Sequence, residues 1–150
     1  NVSPVLDTDR MSITMVSSRI NNPTDANTAL LANNDLHNAV YITKAATLTN
    51  PSSSIKLIFS GYRPPNTFIK PLYRVLPTGS TDQIETLGYT YFPTSDATIP
   101  NTTEEEQYFD YEYEVSGLDF TQYQIKIVFV SGNQALTPII RDLRAIALAV

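Results

Sequence analysis

The stretch Tyr108–Val115, YFDYEYEV, is where residue types and spacing come nearest to chemistry. Strand period two sets Asp110, Glu112 and Glu114 on one face, with successive side chains about 7 Å apart. Carboxyl pairs at roughly 5–9 Å serve glycoside hydrolysis. Oxygen clusters of this kind also suit calcium, which takes about six to eight oxygens. Glycosidase carboxyls, however, sit in a cleft that raises the pKa of one of them. Here the acids alternate without a break with Phe109, Tyr111, Tyr113 and Val115. That is the pattern of a strand with one face on a core and the other in water. The expected reading is a solvated face, with neither a catalytic residue nor a metal ligand on it.

Other constellations are weaker. Asp7-Thr8-Asp9 has a chelating D-x-D spacing but lacks the glycine and downstream glutamate of a calcium loop. A turn, with Asp bonding its own backbone, fits better. Glu104–Glu106 reads as a solvated loop. His37 is the only histidine. A lone histidine makes neither a metal triad nor a Ser-His-Asp arrangement unless a serine and an acid converge on it. Its asparagine-rich surroundings predict an exposed ring. The 5 glycines are dispersed, so no phosphate-cradling loop exists, and with no cysteine there is no thiolate zinc site, thiol nucleophile or disulfide framework. Asn101-Thr102-Thr103 fits the glycosylation acceptor pattern, which matters only in a eukaryotic secretory pathway.

Tyrosine is abundant, with 9 residues and no tryptophan beside it. Tyr41, Tyr62, Tyr73, Tyr89, Tyr91, Tyr108 and Tyr123 could build a sugar-stacking platform. They could equally fill a core while their hydroxyls reach its rim. Sugar reading would need two or three coplanar exposed aromatics flanked by Asn, Asp or Arg on a concave face. As candidate contacts for a partner or a glycan, the sequence singles out Asn33, Asn34, His37, Arg63, Asn66, Tyr89 and Tyr91.

The elements that must position these residues read as strands. A short strand, a turn around Asp7–Arg10 and a second strand from Met11 open the chain. Met11, Ile13 and Met15 share one face of the latter, opposite Ser12 and Thr14. Asn21–Asn38 is a long loop broken by Pro23, in which TALLA offers one helical turn. Val40–Thr49 is a strand closed by a turn at Asn50-Pro51. Ile55–Tyr62 points Ile55, Leu57 and Phe59 inward. Arg63–Asn66 is a turn, and so is PTGSTD further on. Ile69–Leu76 is a strand whose Pro71 argues for an edge position or a bulge. Gly88–Phe92 is a short aromatic strand, and Pro93–Gln107 a second long polar loop. Tyr108–Ser116 follows. Gln122–Ser131 then groups Tyr123, Ile125, Ile127 and Phe129. Ile139–Val150 is apolar on both faces towards its end. Such a strand belongs mid-sheet or against a neighbouring domain. Its alanines and leucines would also allow a helix, but Pro138 and the period-two pattern elsewhere favour strand.

The fold class is therefore all-β: an antiparallel β-sandwich, jelly-roll-like, with about eight or nine strands and two long polar loops. The 150 residues fit one domain, 1–150, with enough chain for a core of its own. The first residue, Asn1, is not a methionine, which suggests a processed chain or a piece of a larger polypeptide. A net charge of −5 with scattered lysines and arginines argues against nucleic acid and against an anionic membrane. No apolar run approaches about 18 residues. The 17% of charged residues is low, and Ser, Thr, Asn and Gln make up the difference. Such a surface suits loops and extended protein contacts.

Several segments, taken in order, resemble a family. They are SPVLDTDRMSITMVSSRINNP, YITKAATL, IKLIFSGYRPPNTFIKPLYRVL and FTQYQIKIVFVSGNQALTPIIRDLRAIALA. Their order and spacing resemble a domain of large virion structural proteins of contractile-tailed bacteriophages, in particular those of cyanobacteria. That family opens on an SPV-I/L-D element leading to R-I-N-x-P. An RP-x-x-T-x-I-K hairpin, an F-x-I-K-I-V strand and a closing P-x-I-x-D-L-R-A-I-A-L strand follow. The resemblance runs from Ser3 to Ala149. It is most specific over Arg63–Lys70 and Pro138–Leu148, and weakest over Asn21–Asn38 and Pro93–Glu106. Pro71 departs from the family's unbroken strand. The resemblance implies a non-enzymatic module of a tail, baseplate or fibre-attachment region, located in the virion, with no cofactor. The implied partners are other virion proteins and further copies of the chain. A carbohydrate-binding module reading host-surface glycans is the alternative, and an enzyme, for which a glycosidase would be the first choice, lacks a convincing acid–base pair.

Overall fold

The computed structural model describes residues 6–7, 12–13, 22–93, 107–133 and 136–149. Thr8, Asp9, Asn101–Thr103, Glu104–Glu106, most of the 93–107 loop and the side-chain faces expected for Met11–Met15 lie outside the described residues. Strands β1 (Leu6–Asp7) and β2 (Ser12–Ile13) form an antiparallel pair. Eight further strands build two antiparallel sheets, a β-sandwich. These are β3 (Val40–Ile42), β4 (Ala46–Ser52), β5 (Ser54–Tyr62), β6 (Thr67–Pro77), β7 (Thr90–Tyr91), β8 (Phe109–Val115), β9 (Phe120–Ser131) and β10 (Ile139–Leu148). Strand β5 is central to a three-stranded sheet, between β10 and β8. In the five-stranded sheet the order is β3-β9-β6-β7, and β4 also pairs with β9. From β4 onward the chain crosses to the opposite sheet at nearly every strand, which is the jelly-roll-like feature of its winding.

Strict alternation explains why the two sheets close on each other. Ile55, Leu57 and Phe59 of β5 are buried, and so are Tyr111 and Tyr113 of β8 and Ile125 and Ile127 of β9. They meet Ile69, Tyr73, Phe92 and Phe120 in one core. Phe59 lies opposite Tyr111 in the ladder and stacks on it at 5.2 Å, with Tyr113 at 5.9 Å from Phe59 and 6.5 Å from Tyr111, so the three rings form a triangle. Gly61 is required beside this stack, because a Cβ there would come within 2.8 Å of the Tyr111 ring. Asp110, Glu112 and Glu114 stand on the outer face, exposed, as the alternation demands.

The structure corrects several expectations about individual segments. Val40–Thr49 is not one strand: β3 and β4 lie end to end along the same edge of β9, separated at Thr43–Ala45. Thr43 stitches the gap, its N–H donating to Ile125 O at 2.9 Å and its Oγ1 accepting from Ile125 N at 3.1 Å. Asn50 and Pro51 sit inside β4, within a register shift against β9, rather than in a turn. Pro71 is on a strand paired with β9 throughout, but it has no N–H to lose on that side. Its C=O points to the other flank, where it accepts from Phe92 N at 3.2 Å, and ladder pairing with β7 begins only at Leu72. The one helical turn expected at TALLA is a 3-10 helix that starts two residues earlier, Ala26–Leu30, capped by Asp25, whose side chain accepts from Asn27 N.

The closing segment is a strand, as the pattern favoured over a helix, but it is not mid-sheet. Among the described residues, strand β10 pairs with β5 alone. Its register slips between Arg141 and Arg144, so that Asp142 and Leu143 together face the single residue Phe59. This is a β-bulge. One extra residue reverses every later side chain. Leu143, Ala145 and Ala147 therefore pack on the core, while Ile146 and Leu148 point out at 43% and 39% exposure.

Candidate functional site

The outer face of the five-stranded sheet carries the densest polar cluster, on β6 and β9. There Arg74, Gln124 and Lys126 alternate with the inward Tyr73, Ile125 and Ile127. The loop at residues 22–38 lies over this face, with Ala29 packed on Leu72, Tyr89 and Val128. Lys126 is sealed beneath it at 1% exposure. Its Nζ donates to Ala29 O at 2.8 Å and sits 2.5 Å from Asp35 Oδ2. The Tyr89 ring centre is 4.8 Å from the ammonium and 4.5 Å from the Arg74 guanidinium. Arg74 Nε donates to Gln124 Oε1 at 2.8 Å, and its Nη1 donates to the Glu85 and Leu87 carbonyls. Gln124 Nε2 in turn donates to Thr43 O at 2.6 Å. Two buried cations are thus met by one carboxylate, a carboxamide, three carbonyls and the face of a tyrosine, as burial of charge requires.

His37 is buried, not exposed as its neighbours suggested. Asp35 Oδ1 explains this: it accepts from His37 N at 3.0 Å and lies 2.6 Å from the ring Nδ1. A histidine held by an aspartate has half the form of a hydrolytic triad. Among the described residues no hydroxyl bonds the other ring nitrogen, and the pair faces Lys126 under the loop. Chemically, the arrangement fastens a loop to a sheet. Burial by itself would raise the Asp35 carboxyl; the Lys126 ammonium, followed by the His37 backbone and ring, outweighs this and lowers it to about 2. With its folded value depressed from 3.8, Asp35 contributes stability that is fully present above about pH 3.8 and disappears as the pH falls through about 2. We expect Asp35→Asn to be less stable near neutrality and to lose less stability across that acid window. Urea unfolding at a series of pH values measures both.

The other residues singled out from the sequence do not converge. Tyr89 is buried inside the fastening at 5% exposure, and Tyr91 is half-buried near Asp35. Asn33 and Asn34 are exposed on the loop, Asn34 with φ 64°. Arg63, half-buried, and Asn66, exposed with φ 60°, form the corner between β5 and β6 at the far end of β9, where Asn66 O accepts from Gly132 N. The tyrosine platform is divided too. Tyr73 is in the core and Tyr123 donates to Ala145 O between the sheets.

Sequence reasoning passed over a second place. Along one side of the sandwich, edge strand β3 faces edge strand β10, and a cleft of about 320 Å³ opens at the bulge. Tyr41, Phe129, Ile140, Arg141, Asp142 and Leu143 line it. Tyr41 is 49% exposed at the rim. The Arg141 guanidinium lies over the Tyr108 ring at 3.6 Å, and Tyr108 is itself 6.1 Å from Tyr62. Asp142 has φ 57°, a left-handed conformation uncommon outside glycine. Among the described residues no three His, Asp or Glu side chains gather to hold a metal ion, and no helix is long and apolar enough to cross a membrane.

No protein-family model, curated protein or solved structure matches this chain.

Proposed function

We propose that this chain is a non-enzymatic assembly module of a contractile-tailed phage virion, in the tail, baseplate or fibre-attachment region. What supports the phage half of this reading is the ordered set of segments from Ser3 to Ala149, and above all Arg63–Lys70 and Pro138–Leu148. One observation supports the assembly half. Strand β10 has one partner strand among the described residues, and its outer face leaves Ile139, Ile146 and Leu148 at 46%, 43% and 39% exposure. An apolar row on the outer face of an edge strand suits a protein neighbour, and charged Arg141 and Arg144 between them fit the polar part of such a contact. The densest polar cluster serves the fold, and the acids of β8 are in water, so neither competes for a catalytic role.

Fab fragments raised against the chain and imaged on intact particles of a phage that encodes it test the reading. Decoration of the tail, baseplate or fibre base is the expected result. Particles left bare after disassembly as well as before it, or decoration confined to the head, would reject it.

A further inference from the structure

We propose that the flank of β6 at residues 67–70 binds an extended acidic peptide of a partner protein as an added strand, with Ile69 bonding its backbone and Lys70 meeting its acid. Three observations build the site. The first is an open edge. Strand β6 runs over Thr67–Pro77, but β7 pairs only with its Leu72 and Tyr73. Phe92 N donates to Pro71 O, and past that point no strand of the described residues lies beside β6 on this flank. Every second residue of a strand turns its N–H and C=O to the same side. Ile69 therefore directs both towards the flank that Pro71 O faces, while Phe68 and Lys70 turn theirs to β9. Thr67 N is already met by Pro64 O at 3.2 Å. Ile69 thus offers a donor and an acceptor on a sheet edge, which is what strand addition uses.

The second observation is a groove of about 400 Å³ along that flank. Ile69 and Phe92 line it from the core, and Phe68, 47% exposed, lines it from the outer face of the sheet. The third is its charge. Lys70 is the one charged residue in the lining, and it has no ion-pair partner among the described residues. Together these select the occupant. The Ile69 main chain asks for a peptide backbone. A residue opposite Ile69 turns its side chain to the same face as Ile69, against Phe92, so it is apolar. Its neighbours turn to the face of Lys70, where a carboxylate is the complement. The open length, between the end of β7 and the corner at Arg63–Asn66, is about 13 Å by strand rise. That suits a short extended segment rather than the edge of a second folded copy.

This contact lies on the five-stranded sheet, away from the β10 row, so peptide binding and particle decoration can each fail without the other. The test is an amide NMR titration of the whole chain with the blocked peptide acetyl-Ser-Val-Glu-Val-Ser-amide and with its counterpart carrying Lys for Glu. Saturable shifts at residues 67–71 and 91–92, with a Kd in about the millimolar range, are expected for the acidic peptide. The lysine peptide is expected to bind about fivefold more weakly or worse, and Lys70→Glu to reverse that order. Phe68→Ser, at an exposed position, is expected to weaken both peptides about threefold. Bound peptide should also slow hydrogen exchange at Ile69 N–H. Three results overturn the proposal: no saturable shift with the acidic peptide, equal binding of the two peptides by the unaltered chain, or an Ile69 amide that already exchanges as slowly as that of Lys70 in the free protein.

Discussion

Replacing Lys126 by methionine is expected to lower the unfolding free energy by about 3–5 kcal/mol. Methionine keeps the length and apolar stem of lysine, so the packing on Tyr89 and Ala29 changes little. The loss is of a different kind. Asp35, with its side chain 13% exposed, would keep a carboxylate under the loop without its cation, and the Ala29 carbonyl would lose its donor. The desolvation cost of the abandoned partner, rather than the worth of the pair, sets this magnitude. Changing both partners separates the two. Lys126→Met combined with Asp35→Leu should recover only part of the loss, because the abandoned charge is gone while His37 and the Ala29 carbonyl are left without their partners. Chemical denaturation with the m-value held constant gives both numbers. A cost below about 1 kcal/mol for the single variant would mean that the ammonium reaches water and that the loop is held by packing alone.

Truncating Phe59 to alanine is the second large effect, also about 3–5 kcal/mol. Phe59 is 1% exposed at the centre of the smaller sheet, and its ring stacks against those of both Tyr111 and Tyr113, which are themselves 6.5 Å apart. Removal leaves a void that neither tyrosine can fill without drawing its hydroxyl deeper, so the site collapses poorly. In a domain of this size the melting temperature should fall by roughly 10 °C. Phe59→Leu, which keeps most of the volume, should cost about half as much or less. Equal melting temperatures for the two variants would show that the core repacks freely around position 59.

These two residues also mark what could and could not be read from the sequence. Phe59 was legible because its strand alternates: Ile55, Leu57 and Phe59 against Lys56, Ile58 and Ser60. The same logic correctly put Asp110, Glu112 and Glu114 in water and made the closing segment a strand. Lys126 was not legible. Its partner Asp35 is in a loop far away in sequence, and no periodicity connects the two. The one available signal was a lysine in the apolar half of a strand, flanked by Ile125, Ile127 and Val128, with Gln124 the polar residue beside it on the same face. His37 misled for the matching reason: its asparagine neighbours described a surface, while the aspartate two residues before it held the ring inward. Segment boundaries failed where tertiary pairing overrode turn chemistry. Asn50-Pro51 reads as a turn in isolation, yet β9 accommodates both residues along its edge through a register shift. The bulge at Asp142 has no sequence signature of the usual kind, since glycine is absent from the position that needs it.

The placement of β9 has a consequence for how the protein is made. This strand is the shared neighbour of β3, β4 and β6, yet it begins only at Phe120. At about 5–20 residues per second, a ribosome releases those three segments seconds before the strand that joins them exists. During that interval the nascent chain carries bare, β-prone edges and no means of closing them, which invites pairing with its siblings on the same polysome. Lys70, Pro71 and Arg74 along β6, and Pro51 in β4, are the residues best placed to discourage such pairing until β9 emerges.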